Sequence, residues 1–123
     1  MAVLEQLLDD VVVHKFDLEG ESTRIGRQLD SDIVIEDTAV SAMHACISRE
    51  VNRDFAGFVE FFVEDLGSTN GTYLNDELVV GRQRLRHNDT LQVAYNRFKF
   101  VDENEISLER TRHIIAGTST ARN

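Results

Sequence analysis

Between Val59 and Glu64 the chain sets Val59, Phe61 and Val63 on one parity and Glu60, Phe62 and Glu64 on the other. A period of two sorts side chains into two faces only on an extended strand, so this segment is a strand with one face toward a core. Similar short runs recur: 2–8, 11–18, 23–26, 33–35, 44–49, 72–74, 78–80, then Leu91 and Val93 around Gln92, and Phe98 and Phe100 around Lys99. Polar or glycine-containing breaks end each run, and proline is absent throughout. Many short strands at this spacing predict an all-β sandwich or barrel. The runs 2–8 and 11–18 read as a hairpin around Asp9-Asp10, and Asn75-Asp76 reads as a tight turn of residues that tolerate positive φ. Apolar residues in 3–13 also fit a helical spacing in part, but the β-branched run Val11-Val12-Val13 favours strand.

Residues 1–103 read as one domain and 104–123 as a polar C-terminal extension. The alternation fades from Asn104 onward. A short helix over 106–115 is compatible with the pattern, and 117–123 reads as a disordered tail.

A total of 123 residues suits a single core. The apolar runs are too short to span a bilayer. The start carries an acid early and no basic region, unlike a signal peptide. A lone cysteine, Cys46, excludes an internal disulfide framework and suits a reducing compartment, so a cytoplasmic location is expected. The formal net charge of -9 argues against nucleic-acid or anionic-membrane binding, which need basic surface. Any anion site must therefore be locally basic, with screening over roughly 8 Å limiting repulsion from the rest of the molecule.

Three breaks in the β pattern carry the chemistry: Gly26-Arg27, Ser41-Ala42-Met43-His44, and Ser68-Thr69-Asn70-Gly71-Thr72. They supply a guanidinium, hydroxyls and a carboxamide. Arg27 offers a planar fork of donors suited to phosphate oxygens; taken alone it is an ordinary surface arginine. Ser41 can donate to a phosphate oxygen, and loop amides can add donors; taken alone it is a turn serine. Asn70 can both donate to and accept from a ligand main chain, while Asn70-Gly71 is equally a strong hairpin-turn signal. His44, three residues after Ser41, invites a catalytic pairing. The spacing does not aim the imidazole at the hydroxyl, and no orienting acid is evident.

In this order and on this β pattern, the motifs Arg24-Ile25-Gly26-Arg27, Ser41…His44 and Asp65-Leu66-Gly67-Ser68-Thr69-Asn70-Gly71-Thr72 followed by Asn75 resemble the forkhead-associated (FHA) domain. The likeness covers residues 2–103 and is to the small stand-alone bacterial type. It implies an eleven-strand sandwich of two antiparallel sheets whose loops at one end bind phosphothreonine peptides. By that resemblance Arg27, Ser41 and Thr69 contact phosphate, Asn70 holds the peptide backbone, and Gly26, His44 and Gly71 shape the loops, His44 as a brace on loop backbone. Ser68 and Thr72 tie the third loop together. A phosphothreonine partner and an upstream Ser/Thr kinase are implied, with signalling by phosphorylation-dependent interaction, no cofactor, no metal and no catalysis. Ala42 departs from the pattern, since a polar or basic residue often follows the serine; here only an amide is offered. Asn88-Asp89 stands where a Gly-Asp turn is usual. A phosphorylation-independent scaffold of the same fold is the alternative.

Remaining features are plainer. Met43 is either a groove-lining side chain or idle surface. His44 and Cys46, two apart on a strand, would share a face, which is too little for zinc. Cys46 reads as a small packing residue. Glu60, Glu64 and Asp65 read as a solvated strand face and its end. Arg82, Arg84 and Arg86 alternate on one face and are expected to be solvated or paired with acids. Thr111, flanked by Arg110 and Arg112 with Ile114 three residues on, is a candidate self-docking phosphosite; the plain reading is an ordinary tail threonine.

Overall fold

The computed structural model describes residues 1–54 and 57–103. The readings placed on 104–123, Thr111 included, lie outside the described residues. Among the described residues eleven strands form, in the order β1 (Ala2–Leu8), β2 (Val11–Asp17), β3 (Ser22–Gly26), β4 (Ile33–Val34), β5 (Ala45–Val51), β6 (Val59–Asp65), β7 (Thr72–Leu74), β8 (Glu77–Leu78), β9 (Arg82–Leu85), β10 (Thr90–Val93) and β11 (Asn96–Asp102). One sheet runs β2-β1-β11-β10-β7-β8, the other β4-β3-β5-β6-β9.

The alternation read in the sequence is the alternation of burial. Phe61 and Val63 of β6 point inward, as do Ala45 and Ile47 of β5 and Phe98 and Phe100 of β11. These meet Leu4, Ile25, Ile33 and Leu91 in one core. Phe61 and Phe100 pack across the sheets with ring centroids 5.4 Å apart, and burial of each such side chain is worth about 1.5–3 kcal/mol.

The tight turns follow residue chemistry. Asp9 and Asp10 have φ of 51° and 64°, Asn75 and Asp76 of 50° and 69°. Positive φ at both central residues matches hairpin turns to the twist of their strands. Asn88 takes φ 74° beside Asp89, the conformation its position requires. Residues 3–13 are thus hairpin, not helix. Val11, Val12 and Val13 lie exposed on the edge strand β2, so the run that marks the strand does not build the core.

Several boundaries differ from the sequence reading. β3 and β4 pair in parallel, Ile25 with Ile33 and Gly26 with Val34, so the second sheet is mixed rather than wholly antiparallel. The loop between them doubles back and returns the chain in the same direction beside β3. His44 precedes β5 and is fully buried, whereas Cys46 is half-buried on that sheet's outer face; the two do not share a strand face. The run read at 78–80 is strand only as far as Leu78, and Val79 turns inward, its amide bonded to the Thr72 carbonyl.

Candidate functional site

The C-terminal ends of β3 and β6 and the N-terminal ends of β5 and β7 meet at one end of the sandwich. The antiparallel pairing of Ile25 with Ala45 and of Ala45 with Asp65 sets β3, β5 and β6 level, and the hydroxyl of Thr72 at the start of β7 donates to Asp65 across the sheets. The three polar loops therefore emerge together, although 27 residues separate His44 from Gly71.

Main-chain bonds join the first two loops. The Arg27 amide donates to Ser41 O (3.0 Å), the Gln28 amide to Ala42 O (3.2 Å), and the His44 amide to Ile25 O (3.0 Å). This closeness explains Gly26. A Cβ there would lie 2.1 Å from the Ala42 carbonyl oxygen. The glycine is needed for the approach of a second backbone rather than for a turn of its own. Gly71 is different: its φ of +83° lies in the left-handed region.

His44 bridges the second and third loops. The Ser41 amide donates to Nδ1 (3.1 Å), so Nδ1 is unprotonated, and Nε2–H donates to Gly71 O (2.8 Å). Both ring nitrogens are engaged by backbone, which leaves no lone pair to deprotonate the Ser41 hydroxyl. The Ser41 oxygen instead accepts from the Thr69 amide (3.1 Å), and its own proton remains to be donated.

Asp65 holds the third loop. Its carboxylate accepts from the amides of Gly67 and Ser68 and from the hydroxyls of Ser68 and Thr72. The Ser68 hydroxyl also accepts from the Gly71 amide (2.9 Å). The expectation of a solvated strand end is corrected here. An aspartate followed by Gly67 two residues on and Ser68 three on is an Asx-turn signal, and it could have been read as such. Burial pushes this carboxyl up, but the Ser68 and Thr72 hydroxyls and the Ser68 and Gly67 amides outweigh it and hold it below the ordinary carboxylate range. The unfolded chain therefore takes up a proton before the folded one does as pH falls. The stabilisation is complete above the unfolded value near ~3.9 and is lost as pH drops through the lower folded value. Urea unfolding across acidic pH should show Asp65→Asn less stable than the parent at neutral pH, with the gap closing in strong acid. A constant gap would refute the assignment.

Asp37 anchors the second loop to the other sheet. Its carboxylate accepts from the Ala39 amide (2.9 Å) and from Asn96 Nδ2 at the start of β11 (3.0 Å). The Ala39 carbonyl in turn accepts from Asn70 Nδ2 (2.7 Å), and Asn70 Oδ1 accepts no bond among the described residues. Nothing in the sequence pairs Asp37 with Asn96, which are 59 residues apart.

Arg27 is exposed, and its Nε–H donates to Val40 O (3.0 Å). That bond fixes the stem and leaves the two terminal amino groups without a bond among the described residues. Arg24, Arg82, Arg84 and Arg97 each face a carboxylate, whereas Arg27 pairs with none among the described residues. Arg82 also lies 3.8 Å over the Phe62 ring. The Ser41, Ser68, Thr69 and Gly71 amides are all engaged within the loops, so loop amides contribute less than the sequence suggested. Exposed Ala42 adds no side-chain donor. No group of His, Cys, Asp and Glu among the described residues could hold a metal ion, and no helix among them is long and apolar enough to cross a membrane.

At this end of the sandwich the Arg27 guanidinium faces no carboxylate among the described residues, and both nitrogens of the His44 ring are engaged by backbone. The class is a phosphopeptide-binding β sandwich. The chain belongs to the FHA domain family, whose family model matches residues 23–94, and FHA domains are phosphothreonine-peptide binding modules of phosphorylation-dependent protein interaction. Over 87 residues the chain is 39% identical to the glycogen accumulation regulator GarA of Mycobacterium tuberculosis, covering 71% of this chain and 49% of the relative. It is 38% identical over 88 residues to the oxoglutarate dehydrogenase inhibitor of Corynebacterium jeikeium, covering 72% and 56%. The chain thus spans about half the length of the curated relatives it matches. Among solved structures it is similar to Mycobacterium tuberculosis EmbR in complex with a low-affinity phosphopeptide, with a TM-score of 0.68 and 27% identity over 81% of this chain and 24% of that one.

Proposed function

We propose that this end of the sandwich binds a phosphothreonine segment of a partner protein, with Arg27, Ser41 and Thr69 on the phosphate and Asn70 on the peptide backbone. Gly26, His44 and Gly71 shape the loops and do not touch ligand. The observation that carries the reading is the unpaired Arg27 guanidinium beside a Ser41 hydroxyl whose oxygen is already fixed by the Thr69 amide. Phosphothreonine brings a charge of about -1.5 to -2 and three acceptor oxygens, which match these donors. The module is not an enzyme: it reads a mark that a Ser/Thr kinase writes elsewhere, in a reducing, cytoplasmic setting. The names of the two relatives, a regulator and an inhibitor, favour control of a partner by docking.

Ala42 and the acidic surface favour the rival scaffold reading, in which the fold binds protein regardless of phosphorylation. Calorimetry with matched threonine and phosphothreonine peptides separates the two. Affinity for the phosphorylated form is expected to be at least about tenfold higher, the equivalent of ~1.4 kcal/mol. Equal affinities would transfer the function to the scaffold reading.

A further inference from the structure

We infer that β2 is a self-association edge: two copies of this chain pair their β2 strands antiparallel about a two-fold axis and join their six-stranded sheets into one. The inference goes beyond phosphopeptide binding and does not depend on it.

An edge strand presents a row of backbone donors and acceptors that another strand can take up, and natural sheets blunt such edges by keeping them short. Among the described residues the sheets end in β8 and β4, of two residues each, in β9, of four, and in β2, of seven. The long edge is also the uncovered one. Val11, Val12 and Val13 are 62%, 41% and 43% exposed, a β-branched run suited to pairing. Beside it the sandwich is open: a groove of about 350 Å³ lies between β2 and the edge formed by β3 and β4, with Phe16 and Ile33 in its walls.

Register and charge select a second copy as the occupant. Leu7 faces Val12 and Gln6 faces His14, so Val13 is an extra residue opposite β1. That bulge puts Val12 and Val13 on one face with Lys15, which meets Glu5 there. Val11, His14 and Phe16 share the other face. Residues opposite each other in an antiparallel pair lie on the same face, and an axis between Val12 and Val13 satisfies this condition. Val12 then faces Val13 of the second copy, Val11 faces His14, and Asp10 faces Lys15, each pair made twice. Without the extra residue the same register would set opposite faces against each other. Opposite charges meet at both ends, and Val11 of the second copy, diagonal to Phe16, covers the mouth of the groove. The contact is isologous and closes at a dimer. Its antiparallel strands turn the two loop-bearing ends away from each other. On the phosphothreonine reading, such a dimer engages two partner molecules rather than two marks on one short peptide.

Sedimentation velocity of the full chain tests the pairing. At about 0.15 M salt, repulsion between two copies of net charge -9 is screened over about 8 Å. A monomer–dimer equilibrium is expected with a midpoint at about 1–100 µM, the weak range of an interface below the standard size. Val13→Lys sets two ammonium groups beside the axis and should raise the midpoint at least about tenfold. Asp10→Lys and Lys15→Asp should each do the same, because like charges then meet at both ends. An equimolar mixture of these two variants should associate again, since opposite charges face each other in the mixed pair. Thermal melts check the fold of each variant. A parent chain that stays monomeric throughout the range, an equilibrium that Val13→Lys leaves in place, or a mixture that fails to associate overturns the pairing.

Discussion

Arg27→Ala is expected to weaken phosphothreonine-peptide binding by about 10- to 150-fold, the loss of a charge-assisted hydrogen bond worth about 1.5–3 kcal/mol. Stability should change little, because the side chain is exposed and its internal bond is the one from Nε to Val40 O. Arg27→Lys keeps the charge but loses the Nε anchor and the planar fork. It should recover part of the affinity, not all of it. The loss should also shrink as salt is raised, since an acidic molecule of net charge -9 relies on a local cation to draw the anion in. Titration calorimetry at two ionic strengths reads both effects. Unchanged affinity in Arg27→Ala would remove Arg27 from the site.

His44→Ala carries the larger structural consequence. The imidazole is fully buried, and its removal leaves a cavity together with an unpaired Ser41 amide and Gly71 carbonyl. Emptying a buried side chain of this size costs about 2–5 kcal/mol, and each orphaned polar group adds about 1–3 kcal/mol unless water enters. Chemical denaturation should therefore show a loss of at least about 3 kcal/mol. Phosphopeptide affinity should fall in parallel, because the bridge between the second and third loops is gone. His44→Gln separates brace from bulk: one amide group can meet only part of the geometry of two ring nitrogens, so intermediate stability is expected. A variant as stable as the parent would show that the loops are held by Asp65 and Asp37 alone.

His44→Ala also bears on whether Ser41 and His44 form a catalytic pair. The Ser41 to His44 spacing resembles a nucleophile with its base, yet the imidazole faces the Ser41 amide and the Gly71 carbonyl, not the hydroxyl. The distinction is one of direction, and spacing along a chain carries no direction once a loop intervenes.

The strands of this protein were legible in its sequence wherever one face is buried. Val59, Phe61 and Val63, or Phe98 and Phe100, alternate because a sheet packed on a core sorts residues by parity, a local property that needs no knowledge of partners. Turn chemistry was equally local: Asn75-Asp76 and Asp9-Asp10 are suited to positive φ wherever they occur. Family membership was also readable, because the loop motifs occur in order on that β pattern. The parallel β3–β4 pair, the burial of His44, the clash that makes Gly26 a glycine and the Asp37–Asn96 link were not readable. Each depends on which loops meet across the end of the sandwich, and that follows from strand pairing between residues far apart in the chain. Asp65 lies between the two cases, since its local turn signal was present but its four converging donors include a hydroxyl seven residues away. Residue identity thus set the strands, the turns and the inventory of donors. Pairing across the two sheets set which donors are engaged in holding the loops and which stay outside those bonds, because hydrogen bonds are directional and direction is a property of the folded chain.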